Sequence, residues 1–543
     1  MRHDAMSPLP LSRLAPVVLA LAVLASVLGT TPTPGSAQEG KVQRLVFASA
    51  GFEDSNRFWM VARPDHLQYD PFLETLLEVD PKTGEYTPRL AEKWQASPDF
   101  KEWTFTLRKG VQFHYGFGQF TARDVVHSHS FMMRPETTAT LAPFWRTVEE
   151  VKIVNDYQVV FRMKRPSTTM AYAVSRAGDL RIVSKAQWDK EGLEGLDKRP
   201  AGTGSYRYVG RQPGLSVTYE RVDNHWGDKP AFKELHFRLA REEATRLAML
   251  LSGEAHIADL PRELQKDALK KGLKIYSSSF PVDWITVYLG GQYYMPGDPA
   301  FKPDVPWTKK KVRQALNMAV NRKELLNTVF AGKGSLTYVT GWSHQSEGWN
   351  PEWASRFDQL YGYNPTKAKA LLKEAGYGPG QLKFKILAFT EPGESEGPQV
   401  AEALGIYYKD VGIDTEIEVL DWAKVRDMFR KKTIQCCIWP NIIGWRPSEE
   451  WIRISYWSKS AGHNYENEFI DKTYNALTQS VKPEERQRLA RSIADHLFDE
   501  FADIPLFWFA NEVVANPKIV GEWVYPGLAA GRSTHFHLVK PAK

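Results

Sequence analysis

Apolar and polar residues alternate along several short stretches of this chain, which is the period of a β-strand with one buried face. The run RLVFASA after Gln43 predicts a first strand. WTFTLRKGVQF predicts a hairpin that turns at Lys109 and resumes at Val111. VKIVNDYQVVFRM predicts a second hairpin with its turn at Asn155. The first third of the chain is therefore expected to contain β-sheet.

Other stretches carry apolar residues three and four positions apart, which is the period of an amphipathic helix. Thr121 followed by Asp124 has the spacing of a capping box and predicts a helix start in TARDVVHSHSFMM. YNPTKAKALLKEAGYG predicts a helix that Asn364 caps and Gly376 ends. No internal repeat or low-complexity linker interrupts this order after the N-terminus. The pattern predicts a large protein of the mixed α/β class with more than one domain.

The first 37 residues have the pattern of a cleaved signal peptide. Arg2 and Arg13 precede the apolar run LAPVVLALAVLASVLG, and small residues follow up to Ala37, where we place the cleavage. The alternative is a membrane anchor, but about 16 apolar residues are short for a span. No cysteine follows the apolar run, which argues against a lipid anchor on an N-terminal cysteine. We expect export and a soluble mature protein in the periplasm or another extracytoplasmic space.

The composition narrows the function mainly by exclusion. The chain has 543 residues, of which 43% are apolar, and this is ample for a large core. The net charge of +6 is spread along the sequence without a basic run, so we do not expect nucleic-acid binding. Eighteen tryptophans are a high number, and tryptophan is favoured where a surface binds a partly apolar ligand.

The only two cysteines, Cys436 and Cys437, are neighbours in the sequence. An exported protein can oxidise such a pair, but a bond between adjacent residues requires unusual backbone geometry. We therefore expect two small, buried side chains on a strand and no zinc site, and the redox state of the pair stays open.

No sequence motif of a catalytic site is recognisable. The chain lacks the G-x-S-x-G, H-E-x-x-H and G-x-x-x-x-G-K-[ST] patterns, so a secreted hydrolase is retained only as the alternative of another class. His127 and His129 lie two positions apart in a predicted helix, where their side chains diverge. We expect one exposed and one half-buried histidine, no metal site and no cofactor.

Five stretches occur in the order found in one known protein family. They are TPRLAEKWQASPDFKEWTFTLRKGVQFHYG, RPAGTGSYRY, LAMLLSGEAHIADL, VRQALNMAVNRKELL and YNPTKAKALLKEAGY. Together they resemble the signatures of family 5 extracytoplasmic solute-binding proteins, the peptide, dipeptide and nickel type that delivers ligands to ABC importers. The chain departs from these signatures at Tyr115, Ala201, Ser205, His256 and Asn321.

The resemblance implies an α/β, two-lobed periplasmic-binding-protein fold of type II, with an extra subdomain after the first strand. It implies lobe I in residues 41–70, 199–285 and 513–543, the added subdomain in 71–198, and lobe II in 286–512. The chain should then cross between the lobes near residues 285 and 512, and hinge closure should enclose the ligand. The implied partners are a small-molecule or peptide ligand and the membrane permease subunits of an ABC importer, and we expect a monomer.

The segment IWPNIIGWRPSEEW, residues 438–451, is the first candidate for the ligand wall. In peptide binders of this family an aspartate shortly after a Gly-Trp pair holds the α-amino group, because a buried ammonium needs a carboxylate partner. Here that position falls on Ser448, with Glu449 and Glu450 next to it and Arg446 before it. One alternative is that Glu449 or Glu450 replaces the aspartate. The other is that Arg446 neutralises that glutamate or binds an anionic ligand. The sequence leaves these alternatives open.

Aromatic residues extend the candidate ligand wall. The candidates are Trp439, Asn441 and Trp445 from the same segment, Trp284 at the predicted crossing, Trp342 in a tryptophan-rich stretch, and Phe58 and Trp59 after the first strand. The alternative for each aromatic ring is a place in the core. We expect a receptor for a peptide or another amine-bearing solute, with an oligosaccharide as the alternative. Opine-like solutes, metal chelates and a role as a chemoreceptor partner also stay open.

Overall fold

The computed structural model describes residues 43–60, 67–389, 396–525 and 535–543. The predicted signal peptide, residues 1–37, lies outside this part of the chain. Among the described helices, none combines the length and the apolar character needed to cross a membrane.

Strands in the described residues form five sheets. They are β1 (Arg44–Ser49), β2 (Leu77–Val79), β3 (Tyr86–Pro88), β4 (Ala91–Ala96), β5 (Glu102–Leu107), β6 (Val148–Asn155), β7 (Gln158–Met163), β8 (Tyr206–Gln212), β9 (Ser216–Arg221), β10 (Glu234–Leu239), β11 (Ile257–Ala258), β12 (Lys274–Ser277), β13 (Asp283–Leu289), β14 (Ser335–Leu336), β15 (Lys383–Ala388), β16 (Asp414–Val419), β17 (Cys437–Gly444), β18 (Ile504–Phe509), β19 (Glu512–Ala515), β20 (Val520–Glu522) and β21 (Lys540–Pro541).

Helices lie between these strands along most of the chain. They are α1 (Ala122–Met132), α2 (Ala142–Trp145), α3 (Met170–Ala173), α4 (Lys185–Lys198), α5 (Glu243–Ser252), α6 (Arg262–Lys270), α7 (Lys310–Ala319), α8 (Arg322–Thr328), α9 (Glu352–Tyr361), α10 (Pro365–Glu374), α11 (Gly397–Asp410), α12 (Trp422–Arg430), α13 (Ser448–Ser455), α14 (Glu468–Leu477) and α15 (Pro483–Glu500).

The largest sheet has seven strands in the order β12-β19-β11-β1-β10-β9-β8. Its central strand β1 pairs in parallel with both β10 and β11. Every residue of β1 after Arg44 is buried, as expected for an apolar strand covered on both faces. The strand predicted from RLVFASA is therefore confirmed.

A second sheet has six strands in the order β14-β18-β13-β17-β15-β16. All residues of β13 are buried, and its side chains alternate between two separate apolar clusters. Ile285 and Val287 belong to one cluster, whereas Trp284 and Tyr288 belong to the other. Because side chains of a strand point alternately to opposite faces, this sheet has a packed core on each side.

A four-stranded antiparallel sheet with the order β4-β5-β7-β6 lies in the chain between β1 and β8. The hairpin predicted around Asn155 is confirmed, since β6 and β7 pair there. The hairpin predicted around Lys109 is wrong, because β5 pairs with β4 and β7 instead. The residues after that turn form only an isolated bridge between Gln112 and Gln119. Local alternation predicted the strand but not its distant partner.

Two predicted helix ends are confirmed by their contacts. The backbone N–H of Thr121 donates to Oδ2 of Asp124 at 2.8 Å, which is half of the capping box at the start of α1. The backbone N–H of Lys367 donates to Oδ1 of Asn364 at 2.9 Å at the start of α10. Gly376 follows α10 with φ of 92°, a conformation in which glycine has no steric cost.

The chain passes from the seven-stranded to the six-stranded sheet after β12 and returns after β18. The seven-stranded and four-stranded sheets share one apolar core. We call the described residues up to 277 and from 512 onwards the first lobe, and residues 283–509 the second lobe. Residues 278–282 and 510–511 connect them. Residue 285, near which the first crossing was expected, lies within β13, shortly after the first connection.

Candidate ligand-binding site

A cavity of about 340 Å³ lies between the two lobes and is called the central cavity here. The first lobe contributes Thr137–Thr140 together with Ala142, Pro143 and Arg146 around α2. The second lobe contributes residues of β13, α12, β17 and α13 and of the loop that holds Asn464. A solute in this cavity would contact both lobes.

Strand β17 supplies three side chains to the central cavity, Trp439, Asn441 and Ile443. They are two positions apart, so the pleat of the strand puts them on one face. The Trp439 ring packs edge-on against Tyr288 at 5.4 Å and Phe429 at 5.5 Å, measured between ring centroids. Its side chain is 1% exposed, and its Nε1–H has no hydrogen-bond partner among the described residues.

Helix α12 presents Trp422, Arg426, Phe429 and Arg430 to the central cavity. Their spacing of three and four residues puts them on one side of the helix. Burial and the nearby charge of Arg426 both lower the pKa of Arg430. Glu53 of the first lobe also lies near Arg426: burial raises the pKa of that carboxyl, and the Arg426 charge opposes the rise.

Helix α13 contacts both lobes through its charged residues. Nε of Arg453 donates to Oε2 of Glu450 at 2.8 Å, and both side chains are buried. Burial alone would lower the pKa of Arg453, but the Glu450 carboxylate raises it above the usual range. Nη2 of Arg453 also donates to the carbonyl oxygen of Thr140 in the first lobe at 3.2 Å. This ion pair therefore links the lobes and is neutral as a whole.

Neutral polar groups line the cavity between these charged elements. Tyr288 is buried, with Asn441, Asn464 and Ser455 around its hydroxyl group. Burial raises the pKa of Tyr288, so the hydroxyl group stays protonated at neutral pH. Oδ1 of Asn464 has no hydrogen-bond partner among the described residues. The cavity therefore offers at least one hydrogen-bond acceptor beside its many donors.

The charge of the central cavity is positive. Among the described residues, no aspartate or glutamate lines it, whereas five arginines do: Arg146, Arg426, Arg430, Arg446 and Arg453. Glu450 balances the charge of Arg453. An arrangement of this kind stabilises anions and opposes the burial of an ammonium group.

A second cavity of about 320 Å³ also has walls from both lobes and is called the side cavity here. Tyr86, Thr168 and Tyr172 face Trp445 and Glu449 across it. It also contains Pro447 and Ser448, the residues at the start of α13. The segment after β17 therefore lies between the two cavities.

Carboxylates in and near the side cavity are already paired. Oε2 of Glu449 accepts a hydrogen bond from Nη2 of Arg486 at 3.0 Å, and Arg165 of the first lobe lies 3.5 Å from its other oxygen. Arg486 also binds Glu347 at 2.9 Å. The Ser448 hydroxyl group donates to the carbonyl oxygen of Glu347 at 2.8 Å. An incoming ammonium group would have to share Glu449 with these arginines.

The sequence-predicted site residues are divided between the two cavities and the protein interior. Trp439, Asn441 and Arg446 line the central cavity, and Trp445, Ser448 and Glu449 line the side cavity. The others, which line neither of these two cavities, are Glu450, Trp284, Trp342, Phe58 and Trp59.

Four of these aromatic residues pack inside the lobes. Trp284 is fully buried and packs against Trp451 at 5.0 Å between ring centroids. Trp342 is also fully buried, and its Nε1–H donates to the carbonyl oxygen of Glu347 at 3.1 Å.

Phe58 and Trp59 lie in the core of the first lobe. Trp59 stacks on Phe131 at 4.2 Å, and Phe58 packs edge-on against Trp59. The carbonyl oxygen of Trp59 accepts a hydrogen bond from Oγ1 of Thr137 at 2.7 Å. These two residues therefore support the first-lobe wall of the central cavity from behind.

Several lining residues of the central cavity were not predicted. They are Arg146, Arg426, Arg430, Arg453, Tyr288, Trp422, Phe429 and Asn464. A pair of arginines four positions apart on a helix with polar neighbours is also the pattern of an ordinary solvated face. The one usable signal was the aromatic spacing of Trp422 and Phe429 around Arg426.

The prediction of two buried cysteines on a strand is wrong for Cys436. Cys436 and Cys437 form a disulfide. Cys437 is buried at the start of β17, as expected, but Cys436 is exposed in the turn before it. The turn supplies the backbone bend that a bond between neighbours requires, and a regular strand at both positions would not.

The prediction for the two histidines is also corrected. His129 is buried against Trp145, and His127 is half-buried beside Phe131. Burial lowers the pKa of each to about 4, with the charge of Lys185 contributing at His127. Within the described residues, no group of three or more potential metal ligands occurs.

Comparison with known proteins identifies the chain's relatives. Residues 85–464 match the family model described as bacterial extracellular solute-binding proteins, family 5, middle region. The dipeptide-binding protein of Escherichia coli strain K12 is 30% identical over 387 residues, which are 65% of this chain and 67% of that protein. Heme-binding protein A of Haemophilus influenzae is 24% identical over 482 residues, or 82% of this chain and 83% of that protein.

Solved structures show the same two-lobed fold at low sequence identity. The periplasmic binding protein DppA of Helicobacter pylori, in complex with the peptide STSA, matches with a TM-score of 0.77 at 20% identity. The match covers 93% of this chain and 99% of that chain. The binding protein AgaA of A. tumefaciens R10, in complex with agropinic acid, matches with a TM-score of 0.75 at 21% identity, over 92% and 99% of the two chains.

Proposed function

Because the chain belongs to the family 5 bacterial extracellular solute-binding proteins, we propose that it encloses one small solute in the central cavity and delivers it to the permease of an ABC importer. The observation that carries this proposal is that both lobes contribute walls to one cavity. A solute bound there stabilises the closed arrangement of the lobes, because it contacts both. The permease can then distinguish the loaded receptor from the empty one by the shape of the closed lobes.

The relatives reported above are binding proteins rather than enzymes, and members of this family are periplasmic. Both facts support a receptor that works outside the cytoplasmic membrane after cleavage of the signal peptide. We propose that it acts as a monomer, with the permease subunits as its protein partner.

A peptide is the first candidate solute, since the relatives include a dipeptide-binding protein and a peptide complex. The amino group that was predicted as the recognised feature receives less support, because the lining of the central cavity carries no carboxylate among the described residues. Of the two glutamates, Glu449 lines the side cavity, and Arg486 already binds it. Trp422, Phe429 and Trp439 would also stack on sugar rings, which supports an oligosaccharide as the second candidate.

The test is to purify the exported protein gently, denature it and identify released small molecules by mass spectrometry. A receptor releases close to one molecule of one compound per chain, and calorimetry with that compound then gives one site. Repeated turnover of a peptide or glycoside by the same preparation would instead establish the secreted hydrolase. Unchanged uptake with lost taxis in a deletion strain would favour the chemoreceptor role.

A further inference from the structure

The arginines that line the central cavity differ in exposure and in pairing: Arg453 is buried, whereas Arg146 and Arg430 are exposed and Arg426 is half-buried. In the described residues, Arg453 and Arg486 each form a salt bridge with a glutamate. None of the described carboxylates lies within 4.0 Å of Arg146, Arg426 or Arg430. These three cations therefore face the cavity without a salt bridge to the protein part that the structure describes.

The cavity arginines come from both sides of the cleft. Arg146 directly follows α2 in the first lobe, whereas Arg430 and Arg426 lie on α12 of the second lobe. Like charges on facing walls repel one another when the lobes close, and the repulsion grows as water is excluded.

Glu53 is a described carboxylate whose pKa the charge of Arg426 affects. It lies after β1 in the first lobe and is influenced by Arg426. It does not line the central cavity, and one carboxylate balances only one of these arginines. Arg146 and Arg430 therefore remain the pair, one from each lobe, that a bound solute can neutralise.

A second, independent observation points to a ligand with acceptor atoms. The Nε1–H of Trp439 is a fully buried donor that no described residue satisfies, and Trp439 lines the central cavity. An unsatisfied buried donor is costly, so a ligand oxygen at this position would remove a penalty. Oδ1 of Asn464 is an unsatisfied acceptor in the same lining, which fits a hydroxyl or amide N–H of the same solute.

We propose that the solute is a small organic anion with at least two acidic groups, one bound by Arg146 of the first lobe and another by Arg430 of the second. Its apolar or ring-shaped body packs against Trp422, Phe429 and Trp439. This inference rests on the proposed function, because it names the chemical class that the same cavity takes. Such a solute replaces repulsion between the walls by attraction to a shared ligand, so closure requires its charge.

The test uses the full mature chain, stripped of bound solutes by reversible denaturation and refolded in chloride buffer. The probe is a protein-free extract of cultured bacteria, from which the immobilised protein retains compounds that are then identified by mass spectrometry. Retention is compared for wild type, the double variant Arg146→Gln/Arg430→Gln, and the control Arg123→Gln/Arg488→Gln. The control also removes one exposed arginine from each lobe, but neither residue lines the central cavity.

We expect the retained compound to bind an anion exchanger at neutral pH and to carry at least two acidic groups. The double variant should bind it about tenfold more weakly or worse, the scale of a lost charge-assisted hydrogen bond, while the control binds as wild type does. Thermal unfolding of both variants at the same temperature would exclude a folding defect.

Other results separate the two proposals. A retained compound that is neutral or cationic overturns the anion inference and leaves the receptor function intact. An anionic compound that the double variant retains as well as wild type also overturns it, because the arginines are then ordinary solvated charges. If wild type retains no small molecule, the proposed receptor function itself fails.

Discussion

Glu450 was predicted as an anchor for a ligand amine, and in the structure it neutralises Arg453 inside the protein. Both side chains are almost fully buried, so each depends on the other for its charge balance. A buried ion pair contributes little net stability as a pair, but the loss of one partner leaves an isolated charge.

The first prediction follows from this pair. Glu450→Gln should lower the free energy of unfolding by about 3 kcal/mol, because Arg453 would stay buried without a counter-charge. Urea unfolding measures it, with Glu402→Gln as the control, since Glu402 is exposed on α11. If both variants are equally stable, Arg453 has another route to charge balance.

Asp503 carries a second residue-scale prediction. Burial raises its pKa to about 7, although hydrogen bonds from Tyr456 and Thr340 act in the opposite direction. An unfolded aspartate titrates near pH 4, so between about pH 4 and pH 7 the folded protein binds more protons than the unfolded chain. Its contribution to stability is therefore full below about pH 4 and is lost as the pH rises through about 7.

Asp503→Asn removes this titration. The loss of unfolding free energy between about pH 5 and about pH 8 should be smaller in the variant than in wild type by about 2 kcal/mol. Denaturant unfolding at both pH values is the measurement. Asp499→Asn, at an exposed position paired with Arg356, serves as the control and should keep the wild-type dependence. An identical pH dependence in Asp503→Asn would mean that Asp503 is already ionised at low pH.

At the residue scale, the sequence identified only part of the lining of the central cavity. Trp439, Asn441 and Arg446 line the central cavity, and their contact with a ligand stays a prediction. Trp284 and Trp342 do not line it, because a large aromatic side chain serves a core as well as a ligand wall, and the sequence carries no mark of which it does.

Helix α13 is the element in which the two lobes meet most directly. Its Glu449 lies 3.5 Å from Arg165 and accepts a hydrogen bond from Thr168 at 3.4 Å, both from the first lobe. Its Arg453 donates to Thr140 of the same lobe. These contacts exist only when the lobes are close together.

The third prediction tests this contact. Arg165→Gln should weaken binding of the co-purified solute by about 0.5–1 kcal/mol, the value of a partly exposed ion pair, because the closed arrangement loses one contact. Calorimetry measures the affinity, and thermal unfolding should be unchanged. Arg162→Gln on β7 removes an arginine whose partners, Glu102 and Glu150, lie in the same lobe. If that control weakens binding equally, the effect is not one of lobe closure.

Elements defined by local signals were predicted well. The capping residues Thr121 and Asn364 bond within their own helices, so a few neighbouring residues contain all the information. The hairpin expected after Lys109 failed because β5 takes β4 and β7 as partners. The contribution of α12 to the cavity was not predicted for a similar reason. The first-lobe residues around α2 that face its arginines lie nearly 300 residues away in the chain.

At the scale of the whole molecule, the two lobes present positive charge to a shared space. The fourth prediction is that the affinity for the co-purified solute falls several-fold when the ionic strength rises from about 0.05 M to about 0.5 M. Salt shortens the screening length from more than 10 Å to less than 5 Å and so weakens attraction between the arginines and an anion.

Calorimetry over a series of sodium chloride concentrations provides the measurement. The double variant Arg146→Gln/Arg430→Gln should show a smaller salt dependence than wild type, because fewer charges take part. An affinity that rises with salt would point to apolar contacts as the main source of binding.

The two-lobed architecture was available from the order of the five family-like stretches, because these mark elements along nearly the whole mature chain. The crossing points were located only roughly. Residue 285 lies within β13, among other apolar residues. An apolar strand has the same sequence pattern whether it is the last strand of one sheet or the first strand of the next.

The position of β19 in the first sheet has a consequence for biosynthesis. This strand, Glu512–Ala515, lies between β11 and β12, yet it is made after the whole second lobe. During chain elongation all strands of the contiguous second lobe are made before β19. Until then, the edges of β11 and β12 that pair with β19 stay unpaired. The half of the protein that is translated first is therefore the half that finishes folding last, and a chain truncated before residue 512 would leave it incomplete.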